Sequence, residues 1–243
     1  MKKIFAVLLV LALSSASFAA EIRVIPYPDG LDTMTEGASS APANINHNFS
    51  IYFDTLTDFF ELKPSKNRVI LSKYPTYQQT LENTCGPAAA LTVLYYFGVK
   101  DYDEMSLAVE MKTQRIIGTN PGDMLEFFKK IGWKTQSNLS REPFENYSDF
   151  QDFIIENLSQ NLPVIVENVD WGGHWRVIIG YDTMGTENTL DDVLILADPY
   201  DTCDHKQDGY VVENGEKFFS MWFDHSMLPE DQRKQPFIIA SPR

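Results

Sequence analysis

Apolar and polar positions follow two rhythms along the chain, and the change comes near residue 163. Before it, the spacing is helical. Residues 88–97 are almost all apolar and rich in Ala and Leu, longer than most strands, and stop at Gly98; they predict a buried helix with Pro87 in its first turn. Residues 103–112 and 121–131 predict two further helices, the latter closed by Gly132. Residues 148–160 predict a fourth, with Phe150, Phe153, Ile154 and Leu158 on one face. After residue 163 the runs are short and β-rich: 163–169, 174–181 and 193–197, with a polar stretch over 183–192. Residues 68–72 and 133–137 predict short strands, 216–223 a helix and 237–240 a last strand. Helices first and strands later predict an α+β fold with an antiparallel sheet.

The first twenty residues follow a different pattern. Lys2 and Lys3 precede an apolar run over 4–13 and a small-residue stretch with Ser17 and Ala19. The run is too short to span a bilayer and reads as a signal peptide cut after Ala19. No cysteine follows it to carry a lipid. Removal leaves about 224 residues, enough for one domain with a sizeable core. Residues 20–65, mixed in Pro, Gly, Ser, Asn and Thr, form an N-terminal extension or linker, and 66–243 form the main domain. The net charge is −14 and grows more negative by two once Lys2 and Lys3 are gone. Such a surface excludes nucleic acid and anionic membrane as partners.

The chemistry centres on Thr84-Cys85-Gly86-Pro87 at the start of the apolar helix. A helix N-terminus carries partial positive charge and free N–H groups, which favour a thiolate and can bind an oxyanion. A disulfide to Cys203, the other cysteine, is the structural alternative for an exported chain, and oxidation of Cys85 with capping or pairing to Cys203 is a redox expectation. Gln79, six residues upstream, has an amide able to donate to an oxyanion. Gly172-Gly173-His174 opens an apolar strand interrupted by Arg176, and the imidazole there suits a general base. Asp198 ends the next strand and suits the role of orienting that imidazole, with Asp182, Asp191 and Asp192 as competitors. Asp201, Asp204 and Asp208 are loosely spaced like a cation loop but read as a solvated turn. No zinc-ligand spacing and no Gly-rich phosphate loop occurs, so neither cofactor nor metal is expected.

Taken as a set, Gln79, Thr84-Cys85-Gly86-Pro87-Ala88, Gly122-Asp123-Met124, Ile131-Gly132-Trp133, Gly173-His174-Trp175, Gly180-Tyr181 and Ala197-Asp198-Pro199 resemble the papain-like clan. Within it they are most similar to the bacteriocin-processing, double-glycine leader peptidases and their stand-alone secreted relatives. The resemblance covers about residues 68–202. It implies a papain-like fold in which a helical half carries Cys85 and a sheet half carries His174 and Asp198. It implies a cysteine peptidase acting on a peptide or protein through Cys85, His174, Asp198 and Gln79. Because no transporter region follows, leader processing coupled to export is not expected. Acyl transfer to an amine, as in phytochelatin-synthase-like members of the clan, and a non-catalytic binding module remain the alternatives. The expected location is periplasmic or extracellular.

Overall fold

The computed structural model describes residues 22–33, 35–37, 39, 57–202 and 206–243. The expected signal segment 1–19, residues 20, 21, 34, 38 and 40–56 of the 20–65 extension, and Cys203 with its expected oxidation chemistry lie outside them.

The helical half begins with α1 (Cys85–Tyr96), three residues earlier than the apolar run alone suggests. Ala88, Ala89, Ala90, Leu91, Val93 and Leu94 are all buried, so the helix is covered around its circumference, which is why it lacks an apolar stripe. Gly98, at φ +82°, lets the chain leave it. The short α2 (Glu104–Glu110) starts at a capping box formed by Asp103 and Ser106. Helix α3 (Pro121–Lys130) has proline in its first turn and Lys129 and Lys130 in its last, both matched to the helix dipole. Helix α4 (Tyr147–Ser159) is capped by the Asn146 side chain, which accepts from the Asp149 N–H.

The sheet half is antiparallel throughout. Its strands are β1 (Arg68–Ile70), β2 (Lys134–Ser137), β3 (Val164–Asn168), β4 (His174–Asp182), β5 (Val193–Ala197), β6 (Tyr210–Asn214) and β7 (Phe237–Ser241). They run in the order β2-β7-β3-β4-β5-β6, with β1 beside the end of β4, where Arg68 faces Asp182. Helix α1 packs on β4, α3 on β2 and β7, and α4 on β1, β3 and β4. Strand β6 was not apparent in the sequence, because only Tyr210 among its residues is fully buried and its polar edge reads as loop. The helix after it, α5 (Gly215–Ser220), ends before residue 223: Trp222 turns into the core and Phe223 bridges to Lys234. The result is an α+β, papain-like architecture.

The described parts of residues 20–65 pack on this body. Ile25 and Phe60 belong to its core. Arg23 and Ile25 exchange backbone hydrogen bonds with Thr76, nine residues before Cys85. Among the described residues, no helix is long and apolar enough to cross a membrane.

Candidate active site

Cys85 is the first residue of α1 and is buried. Thr84 occupies the cap position but its side chain does not cap the helix; its hydroxyl donates to Glu104 instead, at 2.5 Å. The first-turn N–H groups therefore keep their polarity for the space beside the sulfur. A Cβ on Gly86 would come within 2.7 Å of the Thr119 side chain, so glycine is what permits α1 to approach this neighbouring wall.

Glu104 organises the segment leading to Cys85. Its buried carboxylate accepts from the Tyr77 hydroxyl at 2.9 Å, the Thr80 N–H at 2.8 Å and the Thr80 hydroxyl at 2.7 Å, besides Thr84. Such charge-assisted bonds are the strong ones, and losing their acceptor strands several buried donors. Glu104→Ala is expected to cost on the order of 3 kcal/mol and to lower Tm by roughly 10 °C. Glu104→Gln, which keeps one acceptor oxygen, should lose less. Thermal denaturation followed by circular dichroism checks this; an alanine variant melting with the wild type would show that the segment holds itself.

The antiparallel pairing of β4 with β5 sets Val177 opposite Ala197, which brings Asp198 level with Arg176, one pleat repeat from His174. His174 Nε2 and Asp198 Oδ1 lie 2.7 Å apart, and both side chains are buried. Cys85 acts on the imidazole electrostatically, and because Nε2 is engaged by Asp198, Nδ1 is the ring nitrogen left to serve the sulfur. Burial pushes the imidazole pKa down, but the charge and hydrogen bond of Asp198, together with Cys85, outweigh it and raise it to about 9. Asp198 is driven up by burial and, more strongly, down by His174, Arg176 and the Tyr200 N–H, so it lies below its ordinary value. Arg176 Nη1 is 3.9 Å from Asp198 Oδ2, and its Nη2 reaches Asn168, Asp170 and Glu213.

The competing aspartates are engaged elsewhere. Asp182 pairs with Arg68, Asp191 accepts from Thr186, and Asp192 accepts from Tyr181 and Gln151. His225 forms no hydrogen bond to this cluster among the described residues, and His47 and His205 lie outside them. Gln79 is buried in the segment leading to Cys85, and its amide donates to the carbonyls of Leu81 at 2.8 Å and Glu82 at 3.2 Å. Its neighbour Gln78 donates to the Asp198 carbonyl at 2.8 Å, and the Gln79 N–H to the Pro199 carbonyl at 2.8 Å, so the Cys85 and Asp198 segments are tied together. Asp201 accepts from the Gly209 N–H and Asp208 from the Tyr210 N–H, shaping the turn into β6; Asp204 lies outside the described residues.

A cleft of about 240 Å³ opens beside Cys85, with Trp171, Gly173, Thr119 and Met227 among its walls. Sequence reasoning did not single out Glu104, Glu167 or Asp224, and named Arg176 only as an exception within its strand. A usable signal was present for two of them: Glu167 and Arg176 are charges inside otherwise apolar strand runs.

A sequence profile described as the Peptidase_C39 like family matches residues 71–223. The match takes in residues 203–223, which the resemblance read from the motifs had left out. No curated protein matches in sequence. Among solved structures, the peptidase domain of Streptococcus ComA, a bi-functional ABC transporter involved in a quorum-sensing pathway, is 22% identical. The alignment covers 70% of this chain and 99% of that one, with a TM-score of 0.48. A double glycine motif protease from an AMS/PCAT transporter, solved with its leader peptide, is 18% identical over 74% of this chain and 96% of its own, with a TM-score of 0.46. The Streptococcus mutans ComA peptidase domain is 18% identical over 69% and 98%, with a TM-score of 0.40. These are likenesses of fold at low identity. The profile match spans well over half of the residues, and the chain belongs to the Peptidase_C39 like family of cysteine peptidases.

Proposed function

We propose that this peptidase is an exported thiol hydrolase that cleaves peptide or isopeptide bonds of a peptide or protein substrate through a Cys85-His174-Asp198 triad and an acyl-enzyme. The observation that carries the reading is the buried His174–Asp198 pair, 2.7 Å apart, whose imidazole is influenced by a buried Cys85 at a helix start. The Cys85 proton passes to His174 Nδ1 and the sulfur attacks the substrate carbonyl carbon. The oxyanion takes the backbone N–H of Cys85, joined by the Gln79 amide, which would exchange the longer of its two bonds, to Glu82, for it. The imidazolium returns its proton to the leaving amine. Water then loses a proton to His174, its oxygen attacks the thioester, and the acid leaves as the thiolate recovers its proton. Asp198 holds the imidazole in one tautomer throughout. Export rests on the charged, apolar and small-residue order of residues 2–19.

Acid-quenched mass spectrometry during turnover of an activated peptide ester tests the chemistry. An acyl mass on Cys85 is expected, with Asp198→Asn slowing its formation by about 10–100-fold. Ester turnover with the adduct absent from wild type, or carried by another residue, would overturn the proposal. For export, protein recovered outside the cytoplasm should begin at Ala20.

A further inference from the structure

Next to Cys85, the cleft ends on two buried carboxyl groups that the proposed reaction does not use. Glu167, on β3, is 2% exposed and Asp224, after α5, is 4% exposed; both line the cleft. Their oxygens converge over Gly173. A Cβ on that glycine would lie 3.0 Å from Glu167 Oε1 and 3.1 Å from Asp224 Oδ2. The glycine, at φ +142°, therefore both allows the backbone turn into His174 and leaves the two oxygens uncovered.

Neither Glu167 oxygen, nor Asp224 Oδ2, accepts a hydrogen bond from a donor among the described residues. Asp224 Oδ1 is occupied, accepting from the Leu228 N–H at 2.9 Å and standing 3.7 Å from Arg233 Nε. Buried carboxyl oxygens are expensive without donors. Burial first, then Asp224 and Cys85, push the Glu167 carboxyl well above the usual carboxylate range. A cation entering the cleft would favour the ionised form of Glu167 and would supply the missing donors. The remaining charges on the cleft walls are Glu82 and Arg115, which is exposed and forms no ion pair with the two carboxyls. The approach is lined by long apolar side chains: Trp171, held in the left-handed region at φ +56°, with Ile116 and Met227. These walls suit an aliphatic stem carrying a charge at its tip, and the Trp171 ring face favours a cation.

We propose that the Glu167–Asp224 pair is a cation subsite that receives a lysine or arginine side chain of the peptide substrate, beside the bond attacked by Cys85. The inference rests on the reading of Cys85 as nucleophile and names the substrate class for it.

Two measurements test it. The first uses fluorogenic peptides carrying Lys, Arg or norleucine in turn at each position flanking the cleaved bond. At one position wild type should prefer the cationic residue by about tenfold or more in kcat/KM. Glu167→Gln and Asp224→Asn should each bring that ratio to within about threefold of one. The second needs neither turnover nor a variant. n-Butylguanidinium should slow alkylation of Cys85 by iodoacetamide in the wild type, whereas n-butanol at the same concentration should not. Equal rates on cationic and norleucine peptides at every position, a preference that survives in both variants, or alkylation indifferent to n-butylguanidinium would overturn the subsite. If no peptide is cleaved and n-butylguanidinium still shields Cys85, the peptidase chemistry falls and the subsite stands.

Discussion

Cys85→Ala is expected to lower kcat/KM on any peptide substrate by at least about 10⁴-fold, because the proposed nucleophile is removed rather than misplaced. The fold should survive. Cys85 is one small side chain in a helix start whose other residues, Gly86, Pro87 and Ala88 to Ala90, are small and buried, and replacing a thiol with a methyl group leaves little space behind. Its Tm should stay within about 5 °C of wild type. Steady-state kinetics with circular dichroism settle both points together. Residual catalysis within about tenfold of wild type would remove Cys85 from the reaction. A variant that is inactive because it is unfolded would show instead that the sulfur is a packing element of α1.

His174→Ala is expected to be nearly as damaging, lowering kcat by about 10²–10⁴-fold through loss of proton transfer. It should also change how stability depends on pH. The His174 pKa is raised in the folded protein, from an ordinary 6.5 to about 9. Its contribution to stability is therefore fully present below about 6.5 and is lost as pH rises through about 9. Asp198 is depressed, so its contribution is present above its ordinary value of 3.8 and is lost as pH falls through the lower folded one. In the variant the imidazolium is gone, and Asp198 is left in the interior with Arg176, at 3.9 Å, as its nearest remaining cation. Wild type should lose Tm between pH 6.5 and 9.5 that the variant does not lose, by about 5 °C after other titrations common to both are subtracted. Melting curves across that range decide it. If the two Tm profiles run parallel, the His174–Asp198 contact adds nothing to the folded state, and its role would be confined to the reaction.

Local sequence by itself determined most of the elements and pointed to Cys85 as the candidate nucleophile. Helix α1 could be read from an apolar run bounded by Pro87 and Gly98, because proline and glycine act on the backbone wherever the fold places them. Strand β5 matched its expected bounds of 193–197, and His174 was expected at a strand mouth because two glycines precede an apolar run. Cys85 stood out because its helix-start chemistry is set by residues next to it in the chain. The partner of His174 was of another kind. Asp182, Asp191, Asp192 and Asp198 all follow it within or just after one hairpin, and only the β4–β5 register, which sets Asp198 one pleat repeat from His174, decided which carboxylate reaches the imidazole. Strand β6, with one fully buried residue, had no strong pattern to declare itself and exists through its pairing with β5. The same holds for Glu104, Glu167 and Asp224. A buried carboxylate looks like any surface acid in a chain with 34 of them, and its meaning comes from the groups that folding places around it. Glu104 meets donors 20 to 27 residues away in sequence, and Glu167 meets a second acid 57 residues on. Local propensity acts over a turn or a strand, so these long-range electrostatic pairings were left to the tertiary structure.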